Sequence, residues 1–193
     1  CALPIWSLYL LGDLFDFWVG RGMERYPALA DCLEALAQAP VPVHFLPGNR
    51  DFLVGPELAR ATGVLLSAEE TRVPGSGAPA WLLLHGDQLC TRDRVYARTR
   101  RLLRSRAVAR MAAVAPFRFK LLVARLLRAR SRRGLPQRPQ AELAPAGEAV
   151  ASRLSGLRVE GLVCGHTHRF GRFTLPGEDR PVLHVLPDRK SVV

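Results

Sequence analysis

The chain has 193 residues, 48% of them hydrophobic and 23% charged, with a formal charge of +11. That mixture suffices for one compact domain with its own core and excludes a disordered, collagenous or coiled-coil chain. No apolar run reaches the roughly 18 to 20 residues needed to span a bilayer, because Asp13, His85 or a proline interrupts each one. The four cysteines, Cys1, Cys32, Cys90 and Cys164, form no C-x-x-C pair and are too sparse for a secreted disulfide scaffold, which points to a reducing cytoplasm.

Ala2-Leu3-Pro4-Ile5 can be encoded by GCT CTT CCG ATC and Asp188-Arg189-Lys190-Ser191 by GAT CGG AAG AGC. The two strings are reverse complements and match a sequencing-library adapter, so residues 1–6 and 188–193 are expected to be adapter-derived ends around a single domain over 7–187.

In chain order, Trp6 to Leu11 is a short apolar run closed by Gly12-Asp13 and reads as a strand. Tyr26 to Ala39 carries Leu29, Cys32, Leu33 and Leu36 at helical spacing. Val41 to Leu46 is a second apolar run before Pro47-Gly48-Asn49, and Pro56 to Thr62 is a short helix stopped by Gly63. A third run, Ala80 to Leu84, precedes His85-Gly86-Asp87. Residues 91–134 are helical in composition, punctuated by Pro116 and Gly134, and are inserted before the fourth run, Val159 to Cys164, which ends in Gly165-His166. The proline-rich stretch from Leu135 to Gly147 reads as loop, Glu148 to Leu154 as helix, and Phe170 to Leu186 as a hairpin around Pro176-Gly177. This is α/β alternation, and in such sheets the residues that do chemistry collect at the carboxyl ends of the strands.

The positive charge belongs to one segment. Residues 92–138 hold 16 of the 28 Lys and Arg and one acid, Asp93, for a net +15, while the rest of the chain sums to −4. Such a block meets an anionic surface, nucleic acid or a phosphorylated substrate. Within it Phe119, Leu122, Val123, Leu126 and Leu127 form one helical stripe and Arg118, Arg125, Arg128 and Arg132 another. This is either a basic helix packed on the core by its apolar stripe or a cap over a site.

Singly, Asp13, Asn49, His85 and His166 each have a structural reading as turn former or core histidine. Together, G-D-x-x-D at 12–16, G-N-R-D at 48–51, H-G-D at 85–87 and G-H-T-H at 165–168 each stand at a strand exit, in an order that predicts one shared site. Two divalent cations about 3.5 to 4 Å apart need a shared carboxylate, and imidazoles and amide oxygens complete their shells. Asp13 is the natural bridge. Mixed nitrogen and oxygen donors suit Mn²⁺ or a similar first-row ion better than a Cys-rich structural zinc site.

These four blocks resemble those of the calcineurin-like metallophosphoesterases, which implies a β-sandwich flanked by helices. G-N-R-D-F at 48–52, L-G-D-L-F-D-F-W-V-G at 11–20, H-G-D-Q-L-C-T-R-D at 85–93 and G-H-T-H-R at 165–169 are similar to the UDP-2,3-diacylglucosamine pyrophosphohydrolases of lipid A synthesis. The resemblance implies that Asp13, Asn49, His85 and His166 hold one metal, and that Asp13 and His168 contribute to a second. The D-x-H block that begins this family has no counterpart before Asp13, so it is expected upstream of residue 1, leaving this stretch with one complete site and weak or no activity. By position, Asn49, Arg50, Asp93, Tyr96, Arg128, Ser131, Arg138 and His166 would contact substrate. Where the family pattern suggests Asn, this chain has Leu135. The implied reaction is Mn²⁺-dependent hydrolysis of UDP-2,3-diacylglucosamine to UMP and 2,3-diacylglucosamine 1-phosphate at the cytoplasmic face of the inner membrane, with the insertion as a cap. The alternatives are another phosphoesterase of the superfamily, acting on soluble nucleotides, and a non-catalytic anion-binding module. Against the last, residues 98–133 contain only Phe117 and Phe119 as aromatic interleaving, too few for a single-strand platform.

Overall fold

The computed structural model describes residues 5–75, 79–134, 145–167, 170–174 and 181–187. A parallel three-stranded sheet contains β1 (Leu8–Leu10), β2 (Val43–Phe45) and β3 (Leu65–Leu66), in that order. Between its strands lie α1 (Ala30–Ala37) and α2 (Pro56–Thr62). A five-stranded mixed sheet is built from β4 (Glu70–Val73), β5 (Ala80–Leu84), β6 (Val159–Cys164), β7 (Gly171–Thr174) and β8 (Val182–Val185), ordered β4-β5-β6-β8-β7. The insertion supplies α3 (Arg94–Leu103), α4 (Arg106–Val114) and α5 (Phe117–Gly134), and α6 (Gly147–Leu154) follows it. The architecture is the α/β class expected from the sequence, with two sheets and flanking helices.

Each sheet has its own core. Around the first, Phe15, Trp18, Met23, Leu33, Phe45 and Leu58 are buried together. Phe15 and Trp18 pack with ring centroids 4.7 Å apart, and the Trp18 indole N–H donates to Glu57 Oε1 at 2.9 Å, satisfying the ring's polar edge. Around the second, Leu82, Leu84, Val150, Leu162, Cys164 and Val185 form a separate cluster covered by α6.

The four apolar runs are strands, although β1 and β2 are trimmed to three residues each. The helix expected over 26–39 is a 3-10 turn, Pro27–Leu29, leading into α1. The inserted helical segment is broken once more than Pro116 requires, because the Ser105 hydroxyl accepts from Val108 N and starts α4. β3 and β4 were not legible as strands. β7 and β8 pair antiparallel as the expected hairpin, while its turn at Pro176-Gly177 lies outside the described residues. The apolar stripe of α5 does not pack on the core. Phe119, Leu122, Leu126 and Leu127 are exposed, and it is Phe117 and Ala124 that touch the first cluster.

Candidate metal centre

The loops leaving β1, β2, β5 and β6 converge where the two sheets meet. Close approach of the first two is possible because both carry glycine. A Cβ on Gly12, whose φ is +74°, would lie 2.3 Å from Gly48 N, and one on Gly48 would lie 2.5 Å from Asp13 N. No other residue fits at either position without moving backbone. Asp13 and His166 are the two non-glycine residues with positive φ among the described residues, at 55° and 65°. Such backbone costs energy and persists where surroundings enforce it, and both residues stand where the loops converge.

Asp51, fully buried, locks the two loops. Its Oδ1 accepts from Gly48 N at 2.7 Å, and its Oδ2 accepts from Leu14 N at 2.9 Å and Phe15 N at 3.4 Å. Burial foremost, and then repulsion from the Asp13 carboxylate, pushes the Asp51 carboxyl above the ordinary range.

At the convergence, Asn49 Oδ1 lies 3.0 Å from His85 Nε2 and 3.2 Å from His166 Nδ1, and the two imidazole nitrogens are 3.1 Å apart. Asp13 Oδ1 is 3.6 Å from His85 Nε2 and also accepts from Arg50 N at 2.9 Å. The opposite nitrogen of His85, Nδ1, meets the Leu11 carbonyl at 2.6 Å and must carry the proton there, so Nε2 turns a lone pair toward the cluster. With its NH2 turned toward the cluster the Asn49 amide donates to Asp13, His85 Nε2 and His166 Nδ1, and with the amide reversed Oδ1 faces the same groups. Asp13, His85 and His166 all present ligand atoms within 4.8 Å of one another. The donor set therefore fits a divalent metal of the nitrogen-and-oxygen-binding kind.

The other Asp13 oxygen, Oδ2, faces Arg50 Nε at 3.1 Å. Arg128 on α5 donates through Nε to Asp16 Oδ1 at 2.7 Å. Tyr96 donates its hydroxyl to Asp87 Oδ2 at 2.9 Å, and its ring lies 5.9 Å from that of His166. Burial, reinforced by Asp87, pushes the Tyr96 phenol up, so it stays a donor. Asp93 is buried and caps α3, accepting from Tyr96 N at 2.7 Å. Ser131 is exposed on the last turns of α5 and lines the same cavity as Arg50, Tyr96 and Arg128. His168 and Arg138 lie outside the described residues.

Four further residues matter that the motif reading left unassigned. Asp16 and Asp51 are carboxylates inside the quoted blocks whose partners lie far along the chain. Asp87 accepts from Tyr96 and, at 2.6 Å, from Arg100 Nε. Burial works against its ionisation, but His85 and Arg100 outweigh it and hold the carboxyl below the ordinary carboxylate range. Arg104 pairs with Glu69, donates to the Gly48 carbonyl at 2.9 Å and stands 5.6 Å over the Phe52 ring. The legible signal for Arg104, and for Arg100 that pairs with Asp87, was the helical phase of Tyr96, Arg100 and Arg104, which puts the three on one face of α3 and its C-cap.

Above the cluster, α3, α4 and α5 close over a cavity of about 740 Å³. Phe52, Leu103, Val108, Met111, Val123 and Leu127 make its wall apolar, and Asp16, Asn49, Arg50, Tyr96 and Arg128 lie at its polar end. This is the form of a ligand site, a mostly apolar concavity with a few convergent polar groups. A smaller cavity of about 360 Å³ beside Pro40, Val41, Pro42 and Val64 has no titratable lining.

No protein-family model matches the chain. Individual proteins do. The chain is 37% identical over 165 residues to the UDP-2,3-diacylglucosamine hydrolase of Serratia proteamaculans, covering 84% of this chain and 68% of that one. It is 38% identical over 178 residues to the enzyme of the same name from Nitrosococcus oceani, covering 90% of this chain and 71% of that one. The protein of that name from Proteus mirabilis is 33% identical over 177 residues, covering 91% and 73%. Similarity of this extent, spread across both sheets and the helical insertion, places the chain in the UDP-2,3-diacylglucosamine hydrolase family.

Proposed function

We propose that the protein hydrolyses the pyrophosphate of UDP-2,3-diacylglucosamine, giving UMP and 2,3-diacylglucosamine 1-phosphate in lipid A synthesis. The observation that carries this reading is the cluster of Asp13, His85 and His166, with ligand atoms within 4.8 Å of one another, at the floor of a chamber that is apolar above and arginine-lined at its polar end. A diacyl sugar diphosphate needs both surroundings. The chain acts as one domain over 7–187, with 91–134 as its cap.

Asp13, Asn49, His85 and His166 would hold one divalent cation, and Asp13 with His168 would contribute to a second; the nitrogen-and-oxygen donor set favours Mn²⁺. When bound, such cations polarise phosphoryl oxygens and lower the pKa of water. The chain's own groups place the substrate. Arg50 and Arg128 hold the diphosphate by charge-assisted hydrogen bonds, and Arg50 or His166 opposes the negative charge that grows on the phosphoryl oxygens. Tyr96, Ser131 and Arg138 take the remaining polar contacts, with Asp93 accepting from sugar or base. A water oxygen attacks the α-phosphorus in line. The bond from that phosphorus to the bridging oxygen breaks, the bridging oxygen leaves on the sugar phosphate, and the attacking oxygen stays on UMP after losing its proton.

The cap also presents a surface. Val95, Leu102, Met111, Val114, Leu122 and Leu126 are exposed among its arginines, which supports docking to the anionic cytoplasmic face of the inner membrane, peripherally. Among the described residues no helix is long and apolar enough to cross it.

The test is incubation of the full-length protein with Mn²⁺ and UDP-2,3-diacylglucosamine in ¹⁸O-water, followed by mass spectrometry. The label should appear in UMP and not in the sugar phosphate, and EDTA should stop the reaction. An intact lipid substrate alongside rapid cleavage of soluble nucleotide diphosphates would favour the general phosphoesterase instead.

A further inference from the structure

Asp16 stands three residues after Asp13 on the loop leaving β1, and its side chain is 14% exposed. One of its oxygens serves two cations. Oδ1 accepts from Arg128 Nε at 2.7 Å and lies 4.0 Å from Arg50 Nη1. Arg128 comes from the cap, 112 residues away, and Arg50 from the loop that carries Asn49. Arg50 is in turn fixed by Asp13 Oδ2 at 3.1 Å. Two guanidinium groups brought this close repel, and on the same helix Arg125 and Arg130 are exposed while Arg128 is half-buried. The carboxylate between them is what holds Arg128 in.

All three side chains line the polar end of the chamber. Asp16 would repel a phosphate rather than bind one, so any service to the substrate passes through the arginines. We propose that Asp16 is a positioning residue: it fixes Arg128 of the cap beside Arg50 of the metal-site loop, making one clamp for the diphosphate of the substrate. This rests on the diphosphate reading given above. The physical gain is preorganisation, since a guanidinium held in place loses less side-chain freedom on binding than one that must be recruited from solvent.

The experiment measures the affinity of the full-length, Mn²⁺-loaded protein for inorganic pyrophosphate by calorimetry, alongside its affinity for Mn²⁺ itself. Asp16→Asn should weaken pyrophosphate binding about 10-fold, the scale of one charge-assisted hydrogen bond, and leave Mn²⁺ binding in place. Arg128→Ala should weaken it similarly, and the double variant should bind no worse than the weaker single one. With UDP-2,3-diacylglucosamine the loss should fall on KM rather than kcat. If Asp16→Asn binds pyrophosphate as tightly as the parent or more tightly, or if the two losses multiply, the clamp is refuted. If Asp16→Asn does not fold, Arg128→Lys decides in its place: it keeps the charge without the Nε contact and should reproduce the weakening, and unchanged affinity would refute the clamp. Should pyrophosphate binding follow the expected pattern while the lipid substrate is left uncleaved, the clamp stands and the proposed reaction falls.

Discussion

His85 reaches from the end of β5 to donate its Nδ1 proton to the carbonyl of Leu11 at 2.6 Å, joining the five-stranded sheet to the three-stranded one beneath the candidate metal centre. That bond selects the tautomer that leaves Nε2 free to ligate. His85→Ala removes the ligand and strands the Leu11 carbonyl. Mn²⁺ affinity should fall by more than about 100-fold, judging from the 10- to 100-fold typical of groups that only support a ligand. Calorimetric titration that found native affinity in this variant would overturn the assignment.

Gly48→Ala should be among the most damaging single-methyl additions in the chain. The new Cβ would sit 2.5 Å from both Asp13 N and Asp13 Oδ1, so either the loop opens or Asp13 turns away. A loss of about 3 kcal/mol in denaturant unfolding is expected, with weakened Mn²⁺ binding in the same sample.

Much of this site was visible before the fold was. Each of the four blocks is a short apolar run that stops at a glycine paired with a polar residue, after the glycine in three and before it at His85-Gly86, and that grammar places Asp13, Asn49, His85 and His166 together without coordinates. What could not be read was the support beneath them. Asp16, Asp51 and Asp87 look like any turn carboxylate until Arg128, Leu14 and Arg100 arrive from other segments. β4 was missed because Glu-Thr-Arg-Val has no apolar alternation, being an edge strand with no buried residue. Asp93 was read only as a substrate contact, and the structure makes it the N-cap of α3, accepting from Tyr96 N.

Asp51→Ala would leave the N–H groups of Gly48, Leu14 and Phe15 without their acceptor in a buried setting. A cost of about 3 kcal/mol or more is expected. Asp51→Asn keeps one acceptor and should recover part of it. Equal stability of the two variants in urea would show that the carboxylate does not carry the loops.

Cys90 and Cys164 should resist alkylation. Burial, reinforced by Asp87 and Asp93, pushes the Cys90 thiol up to about 12, and burial with Cys90 nearby pushes Cys164 up to about 12. At pH 8 neither forms thiolate, and iodoacetamide should label them only after unfolding. The sign of the linkage follows. With folded values above the ordinary 9.0, their contribution to stability is whole below pH 9 and is lost as pH rises toward 12. Midpoints that stayed level from pH 9 to 11 in the parent, relative to a Cys90→Ala, Cys164→Ala variant, would contradict it.

Arg104→Ala cuts the tie from the cap to Gly48. The Gly48 carbonyl and the Glu69 carboxylate lose a charged donor, and Phe52 loses its stacked guanidinium. A destabilisation of about 2 kcal/mol is expected. Hydrogen exchange should quicken in α3 and α4 more than in β5 or β6.

The two hydrophobic clusters are separate bodies of packing, and the proposed ligands are divided between them. Asp13 and Asn49 leave strands of the first, His85 and His166 leave strands of the second. A cation bound there would therefore be a rivet through two plates, its binding energy going into the seam rather than into either half. At 100 times its Kd it would add about 2.7 kcal/mol to the joined state alone. Stripping it should loosen the join before either core melts, separating one unfolding transition into two.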